Sequence, residues 1–554
     1  MFKKNETHEQ VEMFKLEDQF DERLHNMLKG NWSDIFYENI FMCIDESIFK
    51  PLYSNHIGRS NFPVNILAAL EIIKELFTLT DEQLLERYHF DLLVRRSLGL
   101  EDINEHILAP RTLYYFRSAI VEYELTHGVN LLMQVFKDGR DKIIREIGLK
   151  TGLQRTDSTM IEANIKKMNR LMLFHKVLSN FVTDLVALKI HVSSEIQELI
   201  KNDEDNFSYR LKKEEVLLKT KEISDHLYSL FVKYKENSDI NGLKSFKNAE
   251  RLLKEQCNIV KDKLQLKEPK DIDSSSMQNP SDPDATYKKK RNKAYRGYAA
   301  HATETCDKDN VIQVITDVDL VKNNVDDAKV LSSKIEGLKE ETDLETIITD
   351  ATFTSDDVRK ECKENEVDLV SSEIRGTPTR MQLENKLTSR DFDIDEATNE
   401  VKSCPKGLAP RSQNITAEST IAYFDPKICM ECEDNNLCIA FFSSRSSRIE
   451  INDKRRWLDE RHELFKTEGY RELCNLRPPV EGLMEKMKPK YLSGRTLFRG
   501  LEKVRNRMIL KAIGLNFKRY KGYRGNLFPH FKKLLQIISE RVFLSQKWSI
   551  EWSL

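Results

Sequence analysis

Three acidic residues, Asp157, Asp350 and Glu481, are the side chains of this sequence best suited to chemistry. Asp157 ends an alternating, strand-like run, Asp350 follows the β-branched run 346–349, and small hydroxyl residues come next in both places. A carboxylate at the end of a strand can reach solvent or a metal ion instead of lying buried and unpaired. Glu481 follows a pair of prolines at a predicted helix start. A single aspartate after a strand most often caps a turn, so the three acids are interpreted together.

Carboxylates that converge on one site repel one another unless cations neutralise them. Hard divalent ions with oxygen ligands, Mg²⁺ or Mn²⁺, are the natural partners of such a group. Two such ions about 4 Å apart activate a water or a 3′-hydroxyl and stabilise the leaving oxygen in phosphodiester transfer. The three acids therefore predict a site that binds two Mg²⁺ or Mn²⁺ ions and acts on a nucleic-acid backbone.

The charge distribution points to the same kind of substrate. The segment 486–533 contains fifteen lysines and arginines and a single acid, Glu502, although the net charge of the whole chain is only −2. Such a concentrated basic segment predicts a localised phosphate-binding surface. Arg477 and Lys488 flank Glu481 along one predicted helix edge, for which a salt-bridged surface helix is the alternative interpretation.

Four of the nine cysteines form a group late in the chain: Cys404, Cys429, Cys432 and Cys438. Two thiolates separated by two residues can bind one face of a tetrahedral ion, so this spacing predicts one structural Zn²⁺. The long gap between Cys404 and Cys429 leaves a second interpretation, four reduced cysteines in a small irregular subdomain. The odd number of cysteines argues against a disulfide framework.

Before the first acid, residues 1–145 are predicted to form an all-helical domain. An apolar helix over 64–77 has a proline at its start, a capping box at Thr80 opens a helix over 84–95, and Pro110 starts another helix. Short helices separated by brief breaks are typical of helix-turn-helix DNA-binding modules. A helical bundle without a ligand explains the same pattern equally well.

The rest of the chain alternates strand and helix signals and predicts a mixed α+β fold. Strands are predicted up to Asp157 and over 297–305, 311–316, 346–349 and 367–370, with helices over 326–338 and 355–365. The predicted segments are the first strand of the core (146–164), a charged helical insertion (165–275), the remaining sheet (276–400), a Cys-rich subdomain (401–450) and a helical part with Glu481 and a basic tail (451–554).

No stretch of the sequence approaches the ~20 apolar residues that a membrane-spanning helix needs. The first residues also lack the apolar core of a secretory signal. A cytoplasmic protein without a membrane partner is therefore expected.

In this combination the motifs resemble those of bacterial insertion-sequence transposases with an RNase H-like DDE catalytic domain and a helical N-terminal domain. The resemblance rests on the helical block 61–100 and on the segments Thr156-Asp157-Ser158-Thr159, Ser281-Asp282-Pro283-Asp284, Tyr295-Arg296-Gly297-Tyr298, Thr349-Asp350-Ala351, Cys404-Pro405 and 499–505. The family's tyrosine-x2-Arg-x3-Glu-x6-Lys signature aligns with Arg477, Glu481 and Lys488, but Cys474 replaces the tyrosine. After the second acid, Thr352 replaces a common glycine.

This resemblance implies a DNA transposase in which Asp157, Asp350 and Glu481 hold the catalytic metal ions. It implies binding of double-stranded DNA, both the terminal inverted repeats of an element and a target, by a homodimer in the synaptic complex at the bacterial nucleoid. Arg477 and Lys488 are expected to position DNA near the cut. Further candidate DNA contacts are Arg499, Arg505, Arg507, Arg111 and Arg117.

Two other functions use the same motifs. One is an RNase H-like nuclease that cuts without strand transfer. The other is a catalytically silent DNA-binding regulator derived from a transposase. The presence of all three acids favours an enzyme over the regulator.

Overall fold

The structure is a computed structural model that describes residues 1–9, 20–54, 58–100, 106–201, 204–209, 211–260, 263–290, 292–372, 387–395, 397–416, 418–443, 446–490 and 494–525. The chain divides into two compact units. The first unit comprises 1–150, 158–325 and the chain from Gly482 onward, and the second comprises 151–157 and 326–481. Asp157, Asp350 and Glu481 therefore all belong to the second unit.

The N-terminal region is helical, as predicted. Its helices are α1 (Glu22–Leu28), α2 (Trp32–Asn39), α3 (Val64–Phe77), α4 (Asp81–Phe90), α5 (Leu92–Ser97), α6 (Pro110–His127) and α7 (Leu131–Ile147). The predicted capping box at Thr80 is confirmed. The helix predicted over 84–95 is instead divided between α4 and α5. Asp91 causes the break, because its backbone is extended and its side chain accepts hydrogen bonds from the N–H groups of Leu93 and Val94.

The strands of the central region are β1 (Leu153–Glu162), β2 (Cys257–Val260), β3 (Lys263–Leu266), β4 (Thr286–Lys290), β5 (Lys293–Thr305), β6 (Ile315–Lys322), β7 (Thr346–Thr349) and β8 (Asp368–Ser371). Hydrogen-bonded neighbours in the main sheet follow the order β4-β5-β1-β7-β8, and β6 also pairs with β5. β7 pairs in parallel with β1 and β8, whereas β5 pairs antiparallel with β4 and β6. This mixed sheet is the RNase H-like architecture that was predicted.

The helical insertion after β1 has a core of its own. Its helices are α8 (Arg170–Ala187), α9 (Ser194–Leu199), α10 (Glu204–Ser208), α11 (Lys213–Tyr234), α12 (Ser238–Asn241) and α13 (Lys244–Gln256), and β2 and β3 form a hairpin behind them. α8 packs against α11 and α13, and this region holds a cluster of twenty-two buried apolar residues. The sequence predicted a helical insertion of two or three long helices, which correspond to α8, α11 and α13, but it predicted neither the shorter helices nor the hairpin of β2 and β3.

β1 is longer than predicted. Asp157 was expected at the end of the strand, but β1 continues to Glu162. The strand continues because β5 is its neighbour in the sheet. The two strands approach so closely that a Cβ on Gly297 would lie 2.2 Å from the carbonyl oxygen of Ile161. With a φ of 151° as well, this position in the Tyr295-Arg296-Gly297-Tyr298 motif requires glycine.

Two further elements differ from the prediction. The strand expected over 311–316 begins only at Ile315 as β6, because the turn after β5 extends through Val314, which bonds to Thr305. The helix expected over 326–338 is two helices, and serines at its middle favour the break. The helices of this part are α14 (Asp327–Ser332), α15 (Ile335–Glu341) and α16 (Asp356–Glu364).

The chain then forms a small subdomain and the C-terminal helices. The subdomain contains β9 (Asp393–Ile394), β10 (Val401–Ser403), β11 (Ser412–Ile415), β12 (Ser419–Phe424), α17 (Pro426–Met430), β13 (Phe441–Phe442) and β14 (Ser447–Asn452). The helices that follow are α18 (Asp453–Lys466), α19 (Glu468–Cys474), α20 (Val480–Met487) and α21 (501–525). No helix in the described part of the chain is long and apolar enough to cross a membrane.

Candidate active site

The parallel pairing of β1 with β7 brings the first two acids together. The register aligns Arg155 of β1 with Ile348 of β7. Continued by two residues, this register sets Asp157 opposite Asp350, which is the first residue after β7. Two carboxylates therefore leave adjacent strands at the same level of the sheet.

The turn after β7 orients the Asp350 carboxylate. Its Oδ1 accepts hydrogen bonds from the Thr352 N–H, at 2.7 Å, and from the Thr352 hydroxyl, at 2.5 Å. Its Oδ2 lies 3.6 Å from a guanidinium nitrogen of Arg477. Sequence reasoning noted Thr352 only as a departure from glycine and gave it no role. A hydroxyl two residues after a strand-terminal aspartate is the signal that could have identified it.

The two prolines between α19 and α20 position Arg477 and Glu481. The Val480 N–H donates to the Arg477 carbonyl at 3.0 Å, and the Glu481 N–H donates to the Pro478 carbonyl at 3.1 Å. The chain thus turns tightly into α20, which begins at Val480 as predicted. As a result the Arg477 Nη1 lies 3.4 Å from the Glu481 Oε1.

Arg477 contacts all three predicted catalytic acids. Its Nη2 lies 3.0 Å from Asp157 Oδ2 and 3.6 Å from Asp350 Oδ2, while Nη1 faces Glu481. The exposed fraction of the side chain rises from 14% for Asp157 to 24% for Asp350 and 69% for Glu481. Carboxylates from three distant segments therefore converge on one guanidinium, and the site opens to solvent on the Glu481 side.

The charges of this group suit a metal ion. Three carboxylates and one guanidinium carry a formal charge of −2, and their oxygen atoms are the donors that Mg²⁺ and Mn²⁺ prefer. In the described part of the chain no three His, Cys, Asp or Glu side chains are already arranged to hold an ion. Here the Arg477 guanidinium stands between the acids where a cation would bind. Its Nε is buried without a hydrogen-bond partner among the described residues.

Further hydrogen bonds hold α19 and the segment just before Arg477 against the sheet. Tyr470 bonds to both backbone groups of Ser371 at the end of β8, accepting from the N–H and donating to the carbonyl at 3.2 Å. Cys474, which replaces the signature tyrosine, directs its thiol to the same carbonyl at 3.8 Å. Arg155 donates to the Leu476 carbonyl just before Arg477. Tyr470, one helical turn before Cys474, thus supplies an aromatic contact that the signature alone does not indicate.

Arg117 and Arg507, predicted as DNA contacts, are paired inside the first unit. Arg117 contacts both Glu71 and Asp81, and Arg507 also contacts Glu71. The side chains of Arg117 and Arg507 are only 11% and 6% exposed. Arg507 also lies over the ring of Phe498, 4.3 Å from its centroid. These contacts indicate a structural role for both arginines, because their guanidinium groups are already paired inside the protein.

Arg505 is half-buried and is also paired within the protein. It lies 2.8 Å from Glu124 and 3.2 Å from Asp319. Arg111 and Arg499, by contrast, are exposed. Arg111 lies over the ring of Tyr115, 5.0 Å from its centroid, and this tyrosine is itself exposed.

In the described part of the basic segment, only some of the basic side chains are therefore exposed. α21 buries an apolar face and two of its basic side chains, Arg507 and Lys511. Lys511, for example, donates to the Lys488 carbonyl at 2.7 Å, and burial lowers its pKa to about 8. The Lys488 side chain remains exposed just after the end of α20, where it pairs with Glu485. Charge density in the sequence did not distinguish these buried cations from the exposed ones.

Two known protein families match parts of the chain. Residues 17–119 match a family described as a transposase domain (DUF772), and residues 403–521 match a family described as a transposase DDE domain. No curated protein and no solved structure matches the chain. The second family covers Arg477 and Glu481, whereas Asp157 and Asp350 lie between the two matched segments. The link between these two aspartates and Glu481 is their shared contact with Arg477 in the structure.

Proposed function

Because the two family matches indicate an insertion-sequence transposase, we propose that this chain cleaves DNA at the ends of its element and joins the freed 3′ ends to target DNA. The observation that carries the proposal is the convergence of Asp157, Asp350 and Glu481 on Arg477. A group of three carboxylates with one guanidinium keeps a negative charge that divalent ions can neutralise. Phosphodiester transfer is the chemistry for which such a group of oxygen ligands is suited.

In this proposal Asp157, Asp350 and Glu481 hold two Mg²⁺ or Mn²⁺ ions. Bound ions supply an activated water or 3′-hydroxyl and stabilise the leaving oxygen. The contribution of the protein is to fix the ligands before DNA arrives. The β1–β7 pairing sets the spacing of the two aspartates, and Thr352 holds one oxygen of Asp350 so that the other faces the site.

Arg477 has a second task in this proposal. When cations neutralise the acids, its guanidinium no longer serves as their counter-charge. A guanidinium is well shaped to bind a phosphate through two parallel hydrogen bonds. We propose that Arg477 then contacts the DNA backbone beside the cut, which positions the strand without reading its sequence.

The exposed cations define the proposed DNA surface. Lys488, Arg499 and Arg111 have accessible side chains, and the exposed Tyr115 beside Arg111 offers a ring for stacking. Arg117, Arg505 and Arg507 are excluded from this surface because their guanidinium groups are paired within the protein. On the basis of the family, the proposal also includes binding of terminal inverted repeats, a homodimeric synaptic complex and action at the bacterial nucleoid.

The deciding experiment is Mg²⁺-dependent cleavage of a labelled duplex that carries the terminal repeats flanking the gene. The native protein is expected to cut the duplex and, given a second DNA, to join the 3′ end to it. Glu481→Gln keeps the size of the side chain and removes its charge, and it is expected to abolish both products. Glu485→Gln is the matched control, since Glu485 lies one turn further along α20 and faces Lys488.

Each outcome separates the candidate functions. Cleavage without joined product identifies a nuclease. DNA binding by the native protein without any cleavage identifies a silent regulator. Full cleavage by the Glu481→Gln variant would show that the three acids are not the catalytic group.

A further inference from the structure

The small subdomain that contains β9–β14 has very little apolar core. Among its described residues, the cluster of buried apolar residues has six members: Phe392, Val401, Ala422, Phe424, Ile449 and Ile451. Short strands with so small a core seldom fold on apolar burial alone, and natural proteins of this size add disulfides or a metal ion. Cys404, Cys429 and Cys438 pack against this cluster from outside.

The four cysteines of the predicted zinc group line one cavity. The cavity has a volume of about 290 Å³, and Cys404, Cys429, Cys432 and Cys438 all contribute to its wall. All four are free thiols and are half-buried. The chain thus brings together a cysteine from before β11 and three from after β12.

Tight turns present these cysteines. In Cys404-Pro405-Lys406-Gly407 the Gly407 N–H donates to the Cys404 carbonyl at 2.8 Å, and Gly407 has a φ of 78° that favours glycine. The Cys432 N–H turns back to the Cys429 carbonyl in the same manner. Two cysteine-bearing turns that face each other are the arrangement by which proteins hold a tetrahedral ion.

A buried hydroxyl lies next to the cavity wall. The Ser447 side chain is fully buried, its strand partners Phe424 and Phe442 line the cavity, and its hydroxyl has no hydrogen-bond partner among the described residues. A hydroxyl that donates to a metal-bound thiolate stabilises it, and such outer contacts accompany most metal sites.

We propose that Cys404, Cys429, Cys432 and Cys438 bind one structural Zn²⁺ inside this cavity. Four protein ligands close the coordination sphere, so the ion stabilises the subdomain and takes no part in phosphodiester chemistry. The sulfur atoms are not yet gathered around one point, and binding draws them inward from the cavity wall. The ion ties the turn before β11 to α17 and to the segment before β13. This site does not depend on the proposed cleavage activity.

The test is the zinc content of the full-length protein, purified under reducing conditions and measured by elemental mass spectrometry. One zinc per chain is expected in the native protein, and Cys432→Ser and Cys438→Ser are each expected to lose it. Cys43→Ser is the matched control, since Cys43 is half-buried elsewhere and bonds to Lys142. The control is expected to keep its zinc.

A second measurement on the native chain is independent of whether the variants fold. Replacement of the ion by Co²⁺ is expected to give the intense visible absorption of a tetrahedral thiolate site. A native protein that binds neither ion after reduction overturns the proposal, as does zinc retained by both Cys432→Ser and Cys438→Ser. A disulfide found between two of the four cysteines by peptide mapping also overturns it. A native protein that contains zinc but does not cleave DNA would contradict the proposed function and would leave the zinc proposal standing.

Discussion

Two of the clusters of acids around arginine in the described part of the chain differ in their charge balance, and the one around Arg477 is suited to catalysis. In the first unit, Glu71, Glu75 and Asp81 face Lys74, Arg117 and Arg507, a largely buried group of six with no net formal charge, in which Asp81 is half-buried. In the second unit, Asp157, Asp350 and Glu481 share Arg477, and this group of four has a formal charge of −2.

The surroundings of the two clusters differ as well. Around the buried one, burial alone would raise the carboxyl pKa values, yet Arg507 and Arg117 hold the pKa of Glu71 below its usual range. Glu75 shows the opposite balance, because burial raises its pKa more than the cations lower it. The other cluster opens to solvent at Glu481. Balanced charges in a largely buried environment therefore indicate a structural role, whereas unbalanced charges that open to solvent, as around Arg477, indicate a site for cations.

Glu71→Ala should have the largest effect on stability. It leaves Arg507 and part of Arg117 buried without their carboxylate, so the free energy of unfolding should fall by about 3–5 kcal/mol. Urea denaturation followed by circular dichroism measures the change. Glu82→Gln on the exposed side of α4 is the control and should stay within about 0.5 kcal/mol. A similar small loss for Glu71→Ala would mean that the buried cluster contributes little.

Thr352→Val tests the orientation of the site rather than its charge. The variant keeps the shape of the side chain and removes the hydroxyl that donates to Asp350 Oδ1. Loss of such an outer contact typically weakens metal binding about tenfold. The Mg²⁺ concentration for half-maximal cleavage should rise accordingly, with little change in the maximal rate. An unchanged Mg²⁺ dependence would show that the turn orients Asp350 without this hydroxyl.

Arg477→Gln should have a smaller effect on stability, and one that depends on metal. Without the guanidinium the three carboxylates repel one another, and solvent near Glu481 screens part of that repulsion. In a chelator the free energy of unfolding should fall by about 1 kcal/mol, and added Mg²⁺ should restore most of it. Thermal unfolding with and without Mg²⁺ measures both values. Equal losses in the two conditions would contradict the view that Arg477 acts as a substitute cation.

Asp157→Asn should have the smallest effect on stability. The change reduces the formal charge of the open group from −2 to −1, so relief of repulsion offsets the lost contact with Arg477. The free energy of unfolding should stay within about 0.5 kcal/mol of the native value. Denaturation in a chelator measures it, and a loss of several kcal/mol would place this cluster in the same class as the buried one.

The sequence predicted the acids and most elements because both depend on local patterns. β7 and the start of α20 lie where predicted, since a β-branched run and a proline pair each specify them within a few residues. The continuation of β1 past Asp157 could not be predicted in this way, because it depends on a partner strand more than a hundred residues later. The break at Asp91 was a local signal that the apolar pattern concealed.

The roles of the cations were the least predictable part of the site. Arg117, Arg505 and Arg507 look like DNA contacts in a sequence, because a basic residue carries no local mark of its partner. Their acids, Glu71 and Glu124 among them, come from distant helices. Arg477, in contrast, lies in a motif next to an acid that it does contact. Proximity in sequence predicted its partner, whereas tertiary packing determined the partners of the others.

The distribution of the three acids along the chain also sets the order in which activity can arise during protein synthesis. Asp157 and Asp350 can pair across β1 and β7 as soon as both strands have left the ribosome, but the group lacks Glu481 and Arg477 until α20 is made. A nascent or prematurely terminated chain that ends before this helix holds no complete set of ligands. The proposed cutting activity therefore requires chains translated past residue 481.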